Sequence, residues 1–206
     1  MATPRRPRHA ARKAPKQARS RETVEVILEA AARVFVRHGY ARATTNRIAE
    51  AAGISVGSLY QYFPSKDAIA VEILRRYRET LLALVHKHLD GVGEATLEPV
   101  VRALLGALLR AEGIEPALHR VLIEQVLRTS ARGEISGFEE RLEGALADAI
   151  RNANGALFGR DPDTTSFVLV RAILGAVHAA VVDRPNLNGP ALVDELTRLV
   201  VRFLAP

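Results

Sequence analysis

Three observations predict an all-α protein. Apolar residues recur three and four positions apart through long stretches, as helices with one buried face require. Ser, Thr, Asp and Pro stand where those stretches begin, and Gly, Pro or Asn where they end. No alternating apolar–polar run of useful length occurs, and no internal repeat is evident. The pattern predicts about nine helices, divided between an N-terminal three-helix unit and a larger C-terminal helical domain.

The chain has 206 residues, 48% of them apolar, enough for one or two domains with a real core and too many for disorder throughout. Cysteine is absent, which excludes a disulfide framework and any thiolate metal site and suits a cytoplasmic location. The formal charge of +6 is unevenly placed. Residues 1–22 hold eight Arg or Lys against one Glu, so the rest of the chain is close to neutral. A near-neutral body with a basic arm fits a polyanionic partner at one end. No apolar segment follows the basic N-terminus, so no secretory signal is expected. The longest apolar run, Thr165 to Val182, is interrupted by Arg171 and His178, which argues against a membrane span.

Residues 1–19 are poor in apolar side chains and rich in Arg, Lys, Ala and Pro, and are expected to form a disordered basic arm able to touch phosphates. Ser20 is the expected cap of a first helix over 21–38, in which Val24, Ile27, Leu28, Ala31, Val34 and Phe35 form an apolar stripe ended by Gly39. The stretch from Thr44 to Lys66 organises everything else. Thr44 or Thr45 caps a short second helix with Ile48, Ala49 and Ala52 on its apolar face. Gly53 sits where the chain must turn, Ile54 fills the angle, and Ser55 caps a third helix from Val56 to Phe63. Leu59 and Phe63 face inward, leaving Val56, Gly57, Ser58, Tyr60, Gln61 and Tyr62 to look outward or sideways. A helix that is slim at its start and carries polar-tipped aromatics one turn later suits entry into a DNA major groove. Pro64 stops it, and Ser65 caps the next helix with Lys66 in its first turn.

Phe35-x-x-x-Gly39-Tyr40, Thr44-Thr45, Ile48-Ala49, Ala52-Gly53-Ile54-Ser55, Gly57-Ser58-Leu59-Tyr60-x-Tyr62-Phe63 and Ser65-Lys66, at this fixed spacing, resemble the helix-turn-helix of the TetR family of bacterial transcriptional regulators. The resemblance covers roughly residues 20–75. It implies that Thr45, Tyr62 and Lys66 match phosphate-contacting positions, and that Asn46, Val56, Gly57, Ser58, Tyr60 and Gln61 match positions near bases. Independently, the Tyr60 and Tyr62 hydroxyls can donate to phosphates, Gln61 can pair with adenine and Val56 can touch a thymine methyl. Lys66 adds charge at a helix N-terminus, itself an anion site. Thr44, Arg47 and Ser55 complete the candidate DNA-binding set, and Arg42 lies near the same face. No Arg or Lys lies between Val56 and Phe63, so DNA shape should contribute to discrimination.

The fourth helix, from Ser65 towards Leu89, is expected to lead out of the DNA-binding domain, with Ile69, Ile73, Tyr77, Leu81, Leu84 and Leu89 along one face. The domain boundaries expected are 1–19 for the arm, 20–66 for the DNA-binding domain and 67–206 for an effector-binding and dimerisation domain. Further helices are expected over 97–112, 115–130, 135–154, 162–183 and 190–204, with Asp161-Pro162 as cap and first residue of the penultimate one. In that helix Ala172, Gly175, Ala176 and Ala179 offer a small-residue surface, and Leu192, Leu196, Leu199 and Phe203 supply a stripe on the last. These eight are the candidate dimer interface, as the resemblance implies, and a two-fold dimer would match a palindromic operator. Polar residues within apolar stretches, His119, Gln125, Arg171 and His178, with Tyr77, Phe138 and Phe167 as walls, are the candidate effector site for a mostly apolar ligand.

No nucleophile–base set, phosphate loop or metal-ligand spacing is present, so no catalytic residue, metal or cofactor is expected, and the chain is not read as an enzyme. The expected partners are operator DNA, a second copy of the chain and a small effector, with no membrane. A ligand-responsive repressor is the leading reading, and a DNA-binding regulator or architectural protein without an effector is the alternative.

Overall fold

A computed structural model describes residues 18–89, 97–110, 117–118, 120–122, 132–152 and 161–204. Among the described residues there are eight α-helices and no strand: α1 Ala18–His38, α2 Thr45–Ala51, α3 Val56–Tyr62, α4 Lys66–Leu89, α5 Leu97–Arg110, α6 Arg132–Asn152, α7 Pro162–Val182 and α8 Pro190–Leu204, with a 3-10 turn at Pro185–Leu187. Residues 117–118 and 120–122 are also helical, and the rest of the helix expected over 115–130 lies outside the described residues.

The helices form two compact units. The first holds α1, α2, α3 and α4 up to Tyr77, with helical residues 117–118 and 120–122. Its core is the predicted α1 stripe, buried from Val24 to Phe35, together with Ile48, Ala49, Leu59, Phe63 and Ile69. α1 packs on α2 and α2 on α3. Ser20 is not the cap of α1: Ala18 and Arg19 are already helical, as strong helix formers can be. Gly39 ends α1 at φ +71, a backbone that favours glycine.

The second unit holds α4 from Arg78 together with α5, α6, α7 and α8. α6 packs on α7, and α5 on α8 and α7. One cluster joins Leu97, Ile150, Leu169, Val200 and Leu204, and a second joins Leu105, Leu109, Val177, Val181 and Leu196. Asp161 caps α7 by accepting from the Thr164 N–H at 2.8 Å, with Pro162 in the first turn. By length and composition α7 could cross a membrane. Its residues Leu169, Val170, Val177 and Val181 are instead buried within the unit, and Arg171 pairs with Glu139 and, at 3.0 Å, Glu143.

Candidate nucleic-acid interface and apolar cavity

α3, the candidate reading helix, is built from local rules. Gly53 turns the chain at φ +67. The Ser55 hydroxyl oxygen accepts from the Ser58 N–H at 3.0 Å and lies 2.8 Å from the Ser58 hydroxyl. Phe63 leaves the helix in an extended conformation, as the residue before Pro64 should. Leu59 and Phe63 are fully buried, which turns Gly57, Tyr60 and Gln61 to solvent and leaves Val56, Ser58 and Tyr62 half-buried. Gly57 needs no special backbone, and a Cβ there would meet only the Ser55 hydroxyl at 3.9 Å. Among the described residues neither packing nor backbone geometry requires that glycine.

The α2 side carries hydroxyls to the same surface. Thr44 caps α2, accepting from the Arg47 N–H at 3.3 Å. The Thr45 and Tyr60 hydroxyls lie 3.0 Å apart, so the two helices share one polar patch beside exposed Asn46. Arg47 donates to the Arg42 carbonyl at 2.7 Å and Arg42 to the His38 carbonyl at 3.1 Å, so both guanidiniums are tied to backbone while remaining exposed.

Lys66 is differently employed from the sequence expectation. Its ammonium donates to the carbonyls of Tyr40, Ala41 and Ala43 at 2.7, 3.4 and 3.1 Å, and lies 4.5 Å from the centre of the Tyr40 ring. An ammonium has three donors, and here all three are turned inward to hold the α1–α2 turn. The Tyr40 hydroxyl donates to Asp67. Burial raises the Tyr40 pKa well above the usual phenol range, and the adjoining carboxylate raises it further.

In the second unit a cavity of about 150 Å³ is lined, among the described residues, by nineteen side chains, all of them Leu, Val, Ile or Phe. α4 supplies Leu81, Leu84, Val85 and Leu89; α5 supplies six more, and α6, α7 and α8 the rest. Of the expected effector residues, Phe138 is in this wall. Phe167 and Arg171 are exposed, the guanidinium stacked 5.4 Å from the ring centre and paired with Glu139 and Glu143. His178 is half-buried and outside the lining, and Tyr77 is buried in the first unit. His119 and Gln125 lie outside the described residues. The cavity walls on α5 have a signal in the sequence. Leu97, Val100, Val101, Leu104, Leu105 and Leu108 make a stripe on α5 that doubles at each turn, wider than one helical neighbour needs.

The candidate dimer residues divide. Leu196 is buried in the protomer's own core, and Leu192 and Ala176 pack against the same cluster. Phe203 packs against the other cluster. Ala172, Gly175 and Leu199 are exposed, as is Val168, and Ala179 is half-buried. Among the described residues no group of His, Asp and Glu could hold a metal ion.

Residues 27–73 match the model of the bacterial regulatory proteins of the tetR family, and residues 96–204 match the tetracyclin repressor-like C-terminal domain. The chain is 25% identical over 193 residues to the HTH-type transcriptional regulator YhgD of Bacillus subtilis, covering 88% of this chain and 96% of YhgD. It is 28% identical over 168 residues to the HTH-type transcriptional regulator TcmR of Streptomyces glaucescens, covering 79% of this chain and 74% of TcmR. Among solved structures, NalD of Pseudomonas aeruginosa, the secondary repressor of the MexAB-OprM multidrug efflux pump, has the same fold, with a TM-score of 0.69 at 22% identity over 92% of this chain and 98% of NalD. The C-terminal match alone spans more than half of the chain and the N-terminal match covers the capped reading helix, so the chain belongs to the TetR family of helix-turn-helix transcriptional regulators.

Proposed function

We propose that this chain is a dimeric repressor whose α3 enters the major groove of a palindromic operator and whose hold is released by a small, mostly apolar effector. Gly57 carries the reading. A glycine within a helix costs roughly 0.5–1 kcal/mol relative to alanine, and nothing among the described residues asks for one here. Its use is the close approach of another surface, and the hydroxyls of Thr45 and Tyr60 with the amide of Gln61 beside it suit phosphates and base edges. Thr44 and Ser55 act as caps that aim α2 and α3, and Arg42 and Arg47 add positive charge at the rim.

Dimerisation is assigned to the exposed Val168, Ala172 and Gly175 of α7 and Leu199 of α8. Two copies related by a two-fold axis would present two reading helices to half-sites about one helical turn apart. The effector site is the apolar cavity. α4 is continuous from Lys66 to Leu89 and lines that cavity with its C-terminal half, which makes it the element through which occupancy reaches the DNA-binding unit. Linkage then requires effector and operator to oppose each other equally, and a coupling of about 1–3 kcal/mol changes operator affinity roughly 5–150-fold. The role of NalD as a repressor supports the same sign of regulation. Selection of bound fragments from genomic DNA tests the reading: recovery of one palindromic sequence is expected, and recovery of DNA without any shared sequence would overturn it.

A further inference from the structure

We infer that the cavity of the second unit takes a saturated alkyl segment of about six carbons, carried by an amphiphile whose polar end stays outside these walls; this rests on the reading of the cavity as the effector site. Among the described residues all nineteen lining side chains are hydrocarbon, and none of them offers a hydroxyl, amide or charge to an occupant. The helical backbone around it is bonded to itself and offers no replacement partner. A hydroxyl or carbonyl carried inside would give up its water without compensation. A dry apolar cavity of about 150 Å³ accepts a hydrocarbon the size of benzene.

Wall chemistry favours a chain over a flat ring. Aromatic ligands gain from stacked or edge-on aromatic neighbours, and among the described residues Phe138 is the one aromatic side chain in the lining. Its ring already carries the Arg78 guanidinium at 5.2 Å from the centroid. The other eighteen walls are aliphatic, mostly leucine, whose branched ends adjust around a flexible chain.

The test uses the full-length protein and four probes: n-butanol, n-hexanol, n-octanol and the terminal diol of octane, with 2-naphthol as the aromatic control. Calorimetric titration should show affinity rising about fourfold for each added methylene and levelling off once the chain fills the cavity. The diol should bind at least about tenfold more weakly than n-octanol, because one hydroxyl must be buried. 2-Naphthol should bind more weakly than n-hexanol. Equal affinity for diol and n-octanol, tighter binding of 2-naphthol, or no saturable binding of any alcohol would overturn the inference. The affinity for DNA selected by the protein is measured alongside. The expected alcohol series with unchanged DNA affinity would uphold the alkyl site and sink its role in regulation, which keeps the two readings separable.

Discussion

Gly57 sets stability against binding. Alanine there meets only the Ser55 hydroxyl at 3.9 Å, so the fold accepts it and the helix gains roughly 0.5–1 kcal/mol. Gly57→Ala should therefore raise the urea midpoint while lowering affinity for the selected operator, because in the proposed docking the methyl group stands where the groove floor comes close. Affinity that stays level would remove the glycine's external purpose. Lys66 allows the opposite separation. Its three bonds to backbone carbonyls are charge-assisted and half-buried. Lys66→Met should lower stability by about 1–3 kcal/mol, read by chemical unfolding in the absence of DNA. A lysine that served only phosphates would leave that number untouched.

Among the elements, α4 is held to α1 by a charged network. Glu72 accepts from Arg75 at 2.8 and 2.9 Å and from Arg76 at 2.9 Å, and Arg76 donates to Glu25 of α1 at 2.6 Å. Burial opposes ionisation of Glu72, yet the two guanidiniums outweigh it and hold its pKa below the usual glutamate value. A lowered acid contributes stability that is fully present above its unfolded-state pKa, near 4.5, and lost as pH falls through the folded-state value. Glu72→Gln should cost about 1 kcal/mol or less at neutral pH, and its deficit against the unaltered protein should close as pH falls below about 4. A deficit that persists in acid would assign the loss to packing.

The same elements show what the chain makes legible. Caps and turns are local chemistry, so Thr44, Gly53, Ser55, Pro64 and Asp161 can be read directly, and so can the inward turn of Leu59 and Phe63. Helix starts without a breaker are harder: Ala18 and Arg19 are already helical because both are good helix formers, and α6 is helical from Arg132 in spite of Gly133. Periodicity groups Leu196 and Leu199 on one apolar helix but does not say which of them the protomer keeps for itself. Polar residues inside apolar stretches need not line the cavity, and Arg171 shows why. An amphipathic helix turns its charge outward, here to Glu139 and Glu143, and gives the cavity hydrocarbon side chains. That five apolar stripes meet without closing is a property of the packed unit, invisible in any one of them.

For the whole molecule, two predictions concern how copies and charges combine on DNA. Leu199 is 50% exposed and Leu196 only 6% exposed. Leu199→Glu should yield a folded monomer in sedimentation, whereas Leu196→Glu should unfold the second unit by burying an unpaired charge. A Leu199→Glu dimer intact at low micromolar concentration would move the interface elsewhere. The second prediction belongs to the arm. Residues 2–18 hold six Arg or Lys in a chain whose remaining charge is nearly balanced, so an arm that touches phosphates supplies much of the counterion release. Deleting 2–18 should weaken operator binding and flatten the plot of log affinity against log salt by about 0.9 for every phosphate the arm had neutralised. The weakening should be the same for operator and random DNA, because phosphate contacts position without specifying. An unchanged salt slope would leave the arm without a role on DNA, and a weakening confined to the operator would mean that the arm reads sequence.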